Sequence, residues 1–357
     1  MLSDYRMFCV SVRGASHIQE GTPKEDAAGK AIFDHGMIGV VSDGHGDARC
    51  MRSSLGSDYT VRIATCCLAR WLDGQRPAEA QGEKEPEAKR EERISGKQDE
   101  AASGGAEGLP ADEGESGAQG GTDPFSRPEG SDDREENESG EKDDTEPGVQ
   151  PPEEEEAAED PWSDESIMRL CREITGKWKK AVTAHFSEHP LTEEEIRAAG
   201  NLYPVYAEGR RIPHIYGATL LAAVMTDEKM LLIQKGDGHA VFIYEDGSFD
   251  HEVIPWDKRC ELNFTTSLCD EDSQDTFQCA VVDMCRRPAI AAVVLASDGM
   301  EDCFSDMEAA DVFVGQTAYF GAREGVEDLE DYLESELSVR SDRASRDDIS
   351  MVGWIDP

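Results

Sequence analysis

The chain has 357 residues, of which 77 are acidic and 35 are basic, and its formal net charge is −42. The electric field of so negative a chain repels nucleic acids and anionic membrane surfaces and attracts divalent cations. We therefore expect neither a nucleic acid nor a membrane as partner. The longest apolar run, AIAAVVLA at 289–296, is too short to span a bilayer. The ten cysteines show no C-x-x-C spacing, which favours reduced thiols in a cytoplasmic protein.

The first predicted elements occupy residues 1–73. Apolar and polar residues alternate in YRMFCVSV, which predicts a strand. AIFDHGMIGVVSD predicts two short strands joined by a turn at 34–36. From about 49 to 71 the apolar residues recur with helical spacing, which predicts an amphipathic helix.

Residues 74–160 have a different character. They contain 29 acidic and 9 basic residues and almost no aromatic or branched apolar side chain. A segment of this composition buries too little apolar surface to offset the entropy lost on ordering. We therefore predict a disordered acidic insertion, either a simple spacer or a docking arm for a basic partner, within a single discontinuous domain formed by 1–73 and 161–357.

After the insertion, residues 163–185 predict a second amphipathic helix with Ser163 as its N-cap. A succession of strands follows: ATLLAAVMT, MLLIQKG, HAVFIYE, FQCAVVDM and AAVVLASD. Asp302 is interpreted as a helix-start carboxylate. A helix near 326–338 and the strand ISMVGWI close the chain. Helices and strands come in blocks rather than in strict alternation, which predicts an α+β fold in which helices sandwich the sheets.

Acidic residues follow or precede several of these strands directly. The five places are KEDA at 24–27, VVSDGHGD at 40–47, LIQKGDGHA at 232–240, VVLASDGMED at 293–302 and SRDDIS at 345–350. Any one of them is ordinary turn chemistry, but strand ends that meet at one edge would gather several carboxylates.

Carboxylates crowded in this way need a compensating cation, and oxygen ligands without a histidine–cysteine set favour Mg²⁺ or Mn²⁺ over zinc. Gly44 and Gly299 leave the backbone bare, so that a carbonyl oxygen or a substrate phosphate could approach closely. Two cations about 4 Å apart would activate a shared water and stabilise phosphoryl oxygens, which indicates a phosphatase.

These motifs and their order resemble the protein phosphatase 2C family of metal-dependent serine/threonine phosphatases, in its bacterial branch. VVSDGHGD, YGATLLAAV with KGDGHAVFIYEDG, LASDGMEDCF and SRDDISMV resemble four of the family's signatures, and GASHIQEGTPKEDA and NFTTSLCDED fit the bacterial branch. The resemblance covers nearly everything outside 74–160. It implies two central antiparallel sheets flanked by helices in a four-layer sandwich, with the metals at one end.

The resemblance also implies roles for individual residues. Asp43 would bridge two metals, the Gly44 carbonyl would complete one of them, and Asp298 and Asp347 would hold the second. Asp26, with Glu25, would bind directly or through water, and Asp237 matches an aspartate associated with a third, weaker metal. A hydroxide bridging the metals would attack the phosphomonoester, and His45 would protonate the leaving oxygen.

Two positions depart from the family's pattern. Asp348 stands where the family usually has asparagine, which adds negative charge beside the metals, and Gly21 stands where many members have a phosphate-binding arginine. Lys24 and Arg13, or else His17 or Arg49, are candidates to supply the positive charge.

The expected partners are a phosphorylated protein substrate and a cognate serine/threonine kinase. Two alternatives remain: a pseudophosphatase that binds or regulates phosphoproteins, and an acidic cation-binding scaffold without phosphate chemistry.

Overall fold

The computed structural model of the protein describes residues 2, 4–47, 49–75, 160–261 and 264–357, all of which belong to one compact unit. The predicted disordered insertion therefore lies outside the described residues, apart from its first two positions and its last.

The described strands form two five-stranded sheets, and every neighbouring pair is antiparallel. Sheet I has the order β1-β10-β9-β6-β7, and sheet II has the order β2-β3-β4-β5-β8. Each sheet contains strands from both sides of the insertion. The strands are β1 (Arg6–Val12), β2 (Ala27–Phe33), β3 (Gly36–Ser42), β4 (Leu220–Met225), β5 (Lys229–Lys235), β6 (His239–Tyr244), β7 (Phe249–Asp250), β8 (Gln278–Asp283), β9 (Ile290–Ala296) and β10 (Ile349–Ile355).

Four long helices cover the outer faces of the sheets, and shorter ones connect the elements. The α-helices of the described residues are α1 (Ala15–Glu20), α2 (Ser53–Gly74), α3 (Asp164–Glu188), α4 (Glu193–Ala199), α5 (Tyr203–Ala207), α6 (Asp298–Glu301), α7 (Met307–Glu324) and α8 (Val326–Arg343). None of the described helices is long and apolar enough to cross a membrane.

Three apolar layers hold these elements together. Strand β3 is buried on both faces, so its successive side chains enter different layers. Val41 packs between the two sheets, whereas Val40 faces outward and packs with Leu68 of α2 and Trp178 of α3. On the far side, α7 and α8 pack on sheet I. The predicted α+β sandwich of two central sheets flanked by helices is therefore confirmed.

The predicted strands are all present, and so are the two long helices on either side of the insertion. Ser163 caps α3 as predicted, since its side chain accepts a hydrogen bond from the Ser166 N–H at 3.3 Å. The last predicted helix, near 326–338, extends to Arg343. For helix α7 the sequence predicts only a start, at Asp302, and not its extent.

Candidate metal centre

Strand register brings the acidic strand ends to one end of the two sheets. In sheet II, Ala27 lies opposite Ser42, so that Asp26 and Asp43 emerge side by side from the end of the β2–β3 ladder. In sheet I, Ala296 lies opposite both His239 and Met351, so that the turn before β6, the residues after β9 and the residues before β10 meet. The pairing of these strands therefore places motifs that are far apart in the sequence next to one another.

Three carboxylates converge most closely. One oxygen each of Asp43, Asp237 and Asp298 lies within 4.8 Å of the other two. The sequence had favoured Asp347 as the partner of Asp43 and Asp298, with Asp237 peripheral. In the structure Asp237 is the third member of the tight group, and Asp347 stands close enough to raise the pKa of both Asp43 and Asp298.

Burial and mutual repulsion raise the pKa values of the carboxylates in this centre. Burial raises the pKa of Asp26 to about 6 and that of Asp298 to about 7. Burial also raises the pKa of Asp43, to which the charges of Asp26 and Asp298 add. Burial raises the pKa of Asp347 as well, and raises that of Glu25 to about 7. Proton uptake or a cation must therefore compensate this charge near neutral pH.

The residues present fit a hard cation. All three members of the tight group are carboxylates, the ligands that Mg²⁺ and Mn²⁺ prefer. Beside them, Asp26 Oδ2 and Glu25 Oε2 are buried and have no hydrogen-bond partner among the described residues. Buried acceptors without a donor are costly unless they bind an ion or water.

Two glycines allow the strand ends to meet. A Cβ on Gly299 would lie 2.1 Å from the Asp348 carbonyl oxygen, and one on Gly44 would lie 2.6 Å from the Glu25 carbonyl oxygen. The sequence had suggested that these bare positions admit a carbonyl oxygen or a substrate phosphate. The groups that approach them here are the protein's own carbonyls, so both glycines are required for packing of the centre.

The backbone around Asp43 and His45 is held by the segment that precedes β4. The Asp43 N–H donates to Thr219 Oγ1 at 2.9 Å, and the His45 N–H donates to the Gly217 carbonyl at 3.1 Å. A Cβ on Gly217 would lie 2.4 Å from His45 Cδ2, so only glycine leaves room for the imidazole. Burial lowers the pKa of His45, while the charge of Asp237 opposes this effect.

Asp348 has a role that the sequence did not indicate. It is 2% exposed, and its two oxygens accept backbone N–H groups from Gly14, Glu25 and Asp26. Its charge is therefore met by oriented donors, and it ties the start of α1 and the start of β2 to β10. The sequence does show that Asp348 departs from the asparagine of the family pattern. The three residues that donate to it, however, lie more than 300 positions away along the chain, so the sequence does not reveal them.

Asp302 also belongs to this centre, although its predicted role was wrong. The helix that it was expected to start begins at Met307, where the side chain of Asp306 caps it by accepting the Ala309 N–H at 2.9 Å. Asp302 instead directly follows α6, and its charge contributes to the raised pKa of Asp298 and of Asp347.

The candidate phosphate-binding cations already have hydrogen-bond partners. Lys24 Nζ donates to Ser11 Oγ at 2.8 Å, and Arg13 Nη2 donates to the carbonyl oxygens of His17 and Thr22. Gly21 has a φ of +74° at the end of α1, and a Cβ there would meet nothing within 4 Å. The backbone conformation, rather than crowding, is what favours glycine at this position.

The other two candidates, His17 and Arg49, each stand beside a carboxylate. His17 Nε2 stands 3.9 Å from Asp348 Oδ2. Arg49 is exposed and paired with Asp47.

Comparison with solved structures shows similarity over nearly the whole chain. Stp1 from Staphylococcus aureus, a serine/threonine phosphatase, is 12% identical, with 99% of this chain and 94% of that one covered and a TM-score of 0.46. The catalytic domain of the serine threonine protein phosphatase PstP, solved with two manganese ions, is 12% identical, with coverage of 98% and 97% and a TM-score of 0.45. A sex-determining protein of C. elegans is 13% identical, with coverage of 99% and 65% and a TM-score of 0.50.

No curated protein sequence matches the chain. The family model for protein phosphatase 2C, however, matches residues 13–112 and 151–334, which is well over half of the chain. The chain therefore belongs to the protein phosphatase 2C family.

Proposed function

We propose that the chain is a metal-dependent protein serine/threonine phosphatase, a phosphoric monoester hydrolase that uses Mg²⁺ or Mn²⁺. The observation that carries this proposal is the convergence of Asp43, Asp237 and Asp298 within 4.8 Å at the end of the paired sheets. In a family of protein phosphatases, an oxygen-rich centre of this kind serves to bind cations beside a phosphate.

The donor set supports a site for two ions and a third, weaker one. Asp43 would bridge the two principal ions, with the Gly44 carbonyl on one of them and Asp298 and Asp347 on the other. The unpaired oxygens of Asp26 and Glu25 would bind directly or through water. Asp237 would serve the third ion and, because it lies so close to Asp43 and Asp298, would also influence the first two.

In the proposed chemistry, the bound cations lower the pKa of a water and neutralise phosphoryl oxygens. The protein's side chains would position the reacting groups and transfer the proton. The carboxylates fix the position of the reacting centre and keep it rigid. His45 would deliver a proton to the serine or threonine oxygen that leaves; burial lowers its pKa, which makes its protonated form a stronger acid.

The phosphate group of the substrate would be bound by Lys24 and Arg13. Both cations would have to exchange hydrogen bonds within the protein for bonds to phosphate, because their donors now contact Ser11 and backbone carbonyls. We therefore expect weak binding of small phosphate esters and a larger contribution from the rest of a phosphoprotein substrate.

We further propose that 1–73 and 161–357 form one discontinuous phosphatase domain. Pairing of β3 with β4, and of β1 with β10, supports this proposal, because each pair joins strands from the two sides of the insertion. A cytoplasmic location is supported by the ten cysteines, all of which are free. A serine/threonine kinase that generates the substrate is the expected counterpart.

One observation favours the alternative, a pseudophosphatase that recognises phosphoproteins without cleaving them. Gly21 stands where many family members carry an arginine, and the nearby Arg13 is engaged with the backbone.

Hydrolysis of p-nitrophenyl phosphate with Mn²⁺, without it and with EDTA separates the two functions. We expect turnover that requires Mn²⁺, that EDTA abolishes and that Asp43→Asn lowers by orders of magnitude. Mn²⁺ binding without turnover would favour the alternative, and turnover indifferent to metal would contradict both.

A further inference from the structure

A second set of polar residues lies close in sequence to Asp237 and Asp298. His239 Nε2 contacts Glu301 Oε2 within hydrogen-bonding distance, and the imidazole ring stacks on Trp256 at 5.8 Å between ring centroids. His239 is the first residue of β6, two positions after Asp237. Glu301 is the last residue of α6, whose first residue is Asp298.

The β6–β9 ladder ends where the two carboxylates begin. His239 pairs with Ala296, and beyond this pair the strands continue into the segments that carry Asp237 and Asp298. Each aspartate is two residues past the last pair, outside the ladder, so the sheet does not fix the distance between them. A Cβ on Gly238 would lie 2.9 Å from the Ala296 carbonyl oxygen, which shows how closely the two segments run.

Two like charges at this distance repel, and the charge of Asp237 contributes to the raised pKa of Asp298. The contact between His239 and Glu301 joins the same two segments. We propose that His239 and Glu301 are positioning residues for the metal centre, which hold Asp237 beside Asp298 by linking the β5–β6 turn to α6. This inference rests on the proposed function, because it concerns the same carboxylates.

The chain offers a matched control. His251 Nε2 lies 2.8 Å from Asp311 Oδ1, and this pair lines the same small cavity as His239 and Glu301. The exposed fractions are similar: 26% and 23% for the control pair against 21% and 32% for the first pair. His251 follows β7 and Asp311 lies on α7, so neither is attached to a carboxylate of the centre.

The test measures Mn²⁺ binding by calorimetry on the full chain, together with the Mn²⁺ dependence of p-nitrophenyl phosphate hydrolysis. His239→Phe keeps an aromatic ring against Trp256 and removes the contact with Glu301, whereas His239→Arg keeps a hydrogen-bond donor that can reach Glu301. Loss of a group bonded directly to a metal ligand typically weakens binding about 10- to 100-fold, and His239 acts one contact further away, so we expect a loss at the low end, about tenfold, for His239→Phe. We expect turnover at saturating Mn²⁺ to stay close to that of the wild type, and His239→Arg and His251→Phe to bind Mn²⁺ as the wild type does.

A double-mutant cycle separates positioning from general stability. If His239 acts through Asp237, Asp237→Asn combined with His239→Phe weakens Mn²⁺ binding no more than Asp237→Asn alone. Additive losses, wild-type affinity in His239→Phe, or an equal loss in His251→Phe would overturn the inference. Glu301→Gln provides the same comparison if His239→Phe does not fold. A wild-type protein that binds Mn²⁺ but hydrolyses nothing would contradict the proposed function alone, since the binding comparison would still stand.

Discussion

Replacement of Asp348 by asparagine is predicted to destabilise the protein, even though asparagine is the residue that the family pattern favours. The two carboxylate oxygens of Asp348 accept three backbone N–H groups: Oδ1 accepts from Gly14 at 2.5 Å, and Oδ2 accepts from Glu25 and from Asp26, the latter at 3.1 Å. An asparagine side chain has one oxygen, so its amide must face at least one of these donors.

The expected cost follows from that mismatch. A hydrogen bond to a charged acceptor contributes about 1.5–3 kcal/mol, and a buried donor left without a partner costs about 1–3 kcal/mol. One effect opposes this cost: the charge of Asp348 contributes to the raised pKa of Glu25 and of Asp26, so its removal relieves repulsion when no cation is bound. We therefore expect the free energy of unfolding to fall by about 2 kcal/mol with Mn²⁺ present, and by less in EDTA.

Urea unfolding followed by tryptophan fluorescence, with Mn²⁺ and with EDTA, measures both values. Asp342→Asn is the matched control, because Asp342 is an exposed carboxylate on α8. Equal stability of Asp348→Asn and the wild type in Mn²⁺, or greater stability of the variant in both conditions, would refute the reasoning. Such a result would show that repulsion, rather than the backbone donors, dominates at this position.

Three further predictions concern the centre. The folded-state pKa values of Asp26 and Asp298 are raised from 3.8 to about 6 and about 7, so the metal-free folded state binds more protons than the unfolded state in this range. Its stability should therefore fall as pH rises from about 4 to about 7, and Mn²⁺ should restore more stability at pH 7.5 than at pH 5; a flat pH profile in EDTA would contradict this. His45→Gln should slow hydrolysis of a phosphoserine peptide far more than that of p-nitrophenyl phosphate, whose leaving group needs no proton; equal losses on the two substrates would exclude a proton-donor role. Gly299→Ala should lower the free energy of unfolding in urea by about 1–3 kcal/mol or more, because the new Cβ would overlap the Asp348 carbonyl oxygen; wild-type stability would show that the backbone there adapts.

Much of the fold could be predicted because the strands are short, strongly apolar and separated by turn residues rich in aspartate and glycine. The true start and the extent of helix α7 were not predicted, for a physical reason. Its buried face includes Ala310, Thr317, Ala318 and Gly321, which are small side chains that give little apolar periodicity. The helix is defined by its Asp306 cap and by packing on sheet I, neither of which a hydrophobic pattern reveals.

Some features of the candidate site could likewise be predicted from the sequence, and others could not. Acidic residues at strand ends were visible in the sequence, since local turn chemistry places them there. The tight grouping of Asp237 with Asp43 depends on register across two sheets. The three donors around Asp348, and the backbone partners of Arg13, depend on contacts that a linear pattern does not record.

The central claim is that carboxylates from separate strand ends together hold divalent cations, and calorimetric titration of metal-free protein with Mn²⁺ tests it most directly. We predict that the wild type binds Mn²⁺ and that Asp43→Asn loses more affinity than the roughly 10- to 100-fold that removal of an outer partner costs. Absence of Mn²⁺ binding by the wild type, or equal affinity in Asp43→Asn, would contradict the account.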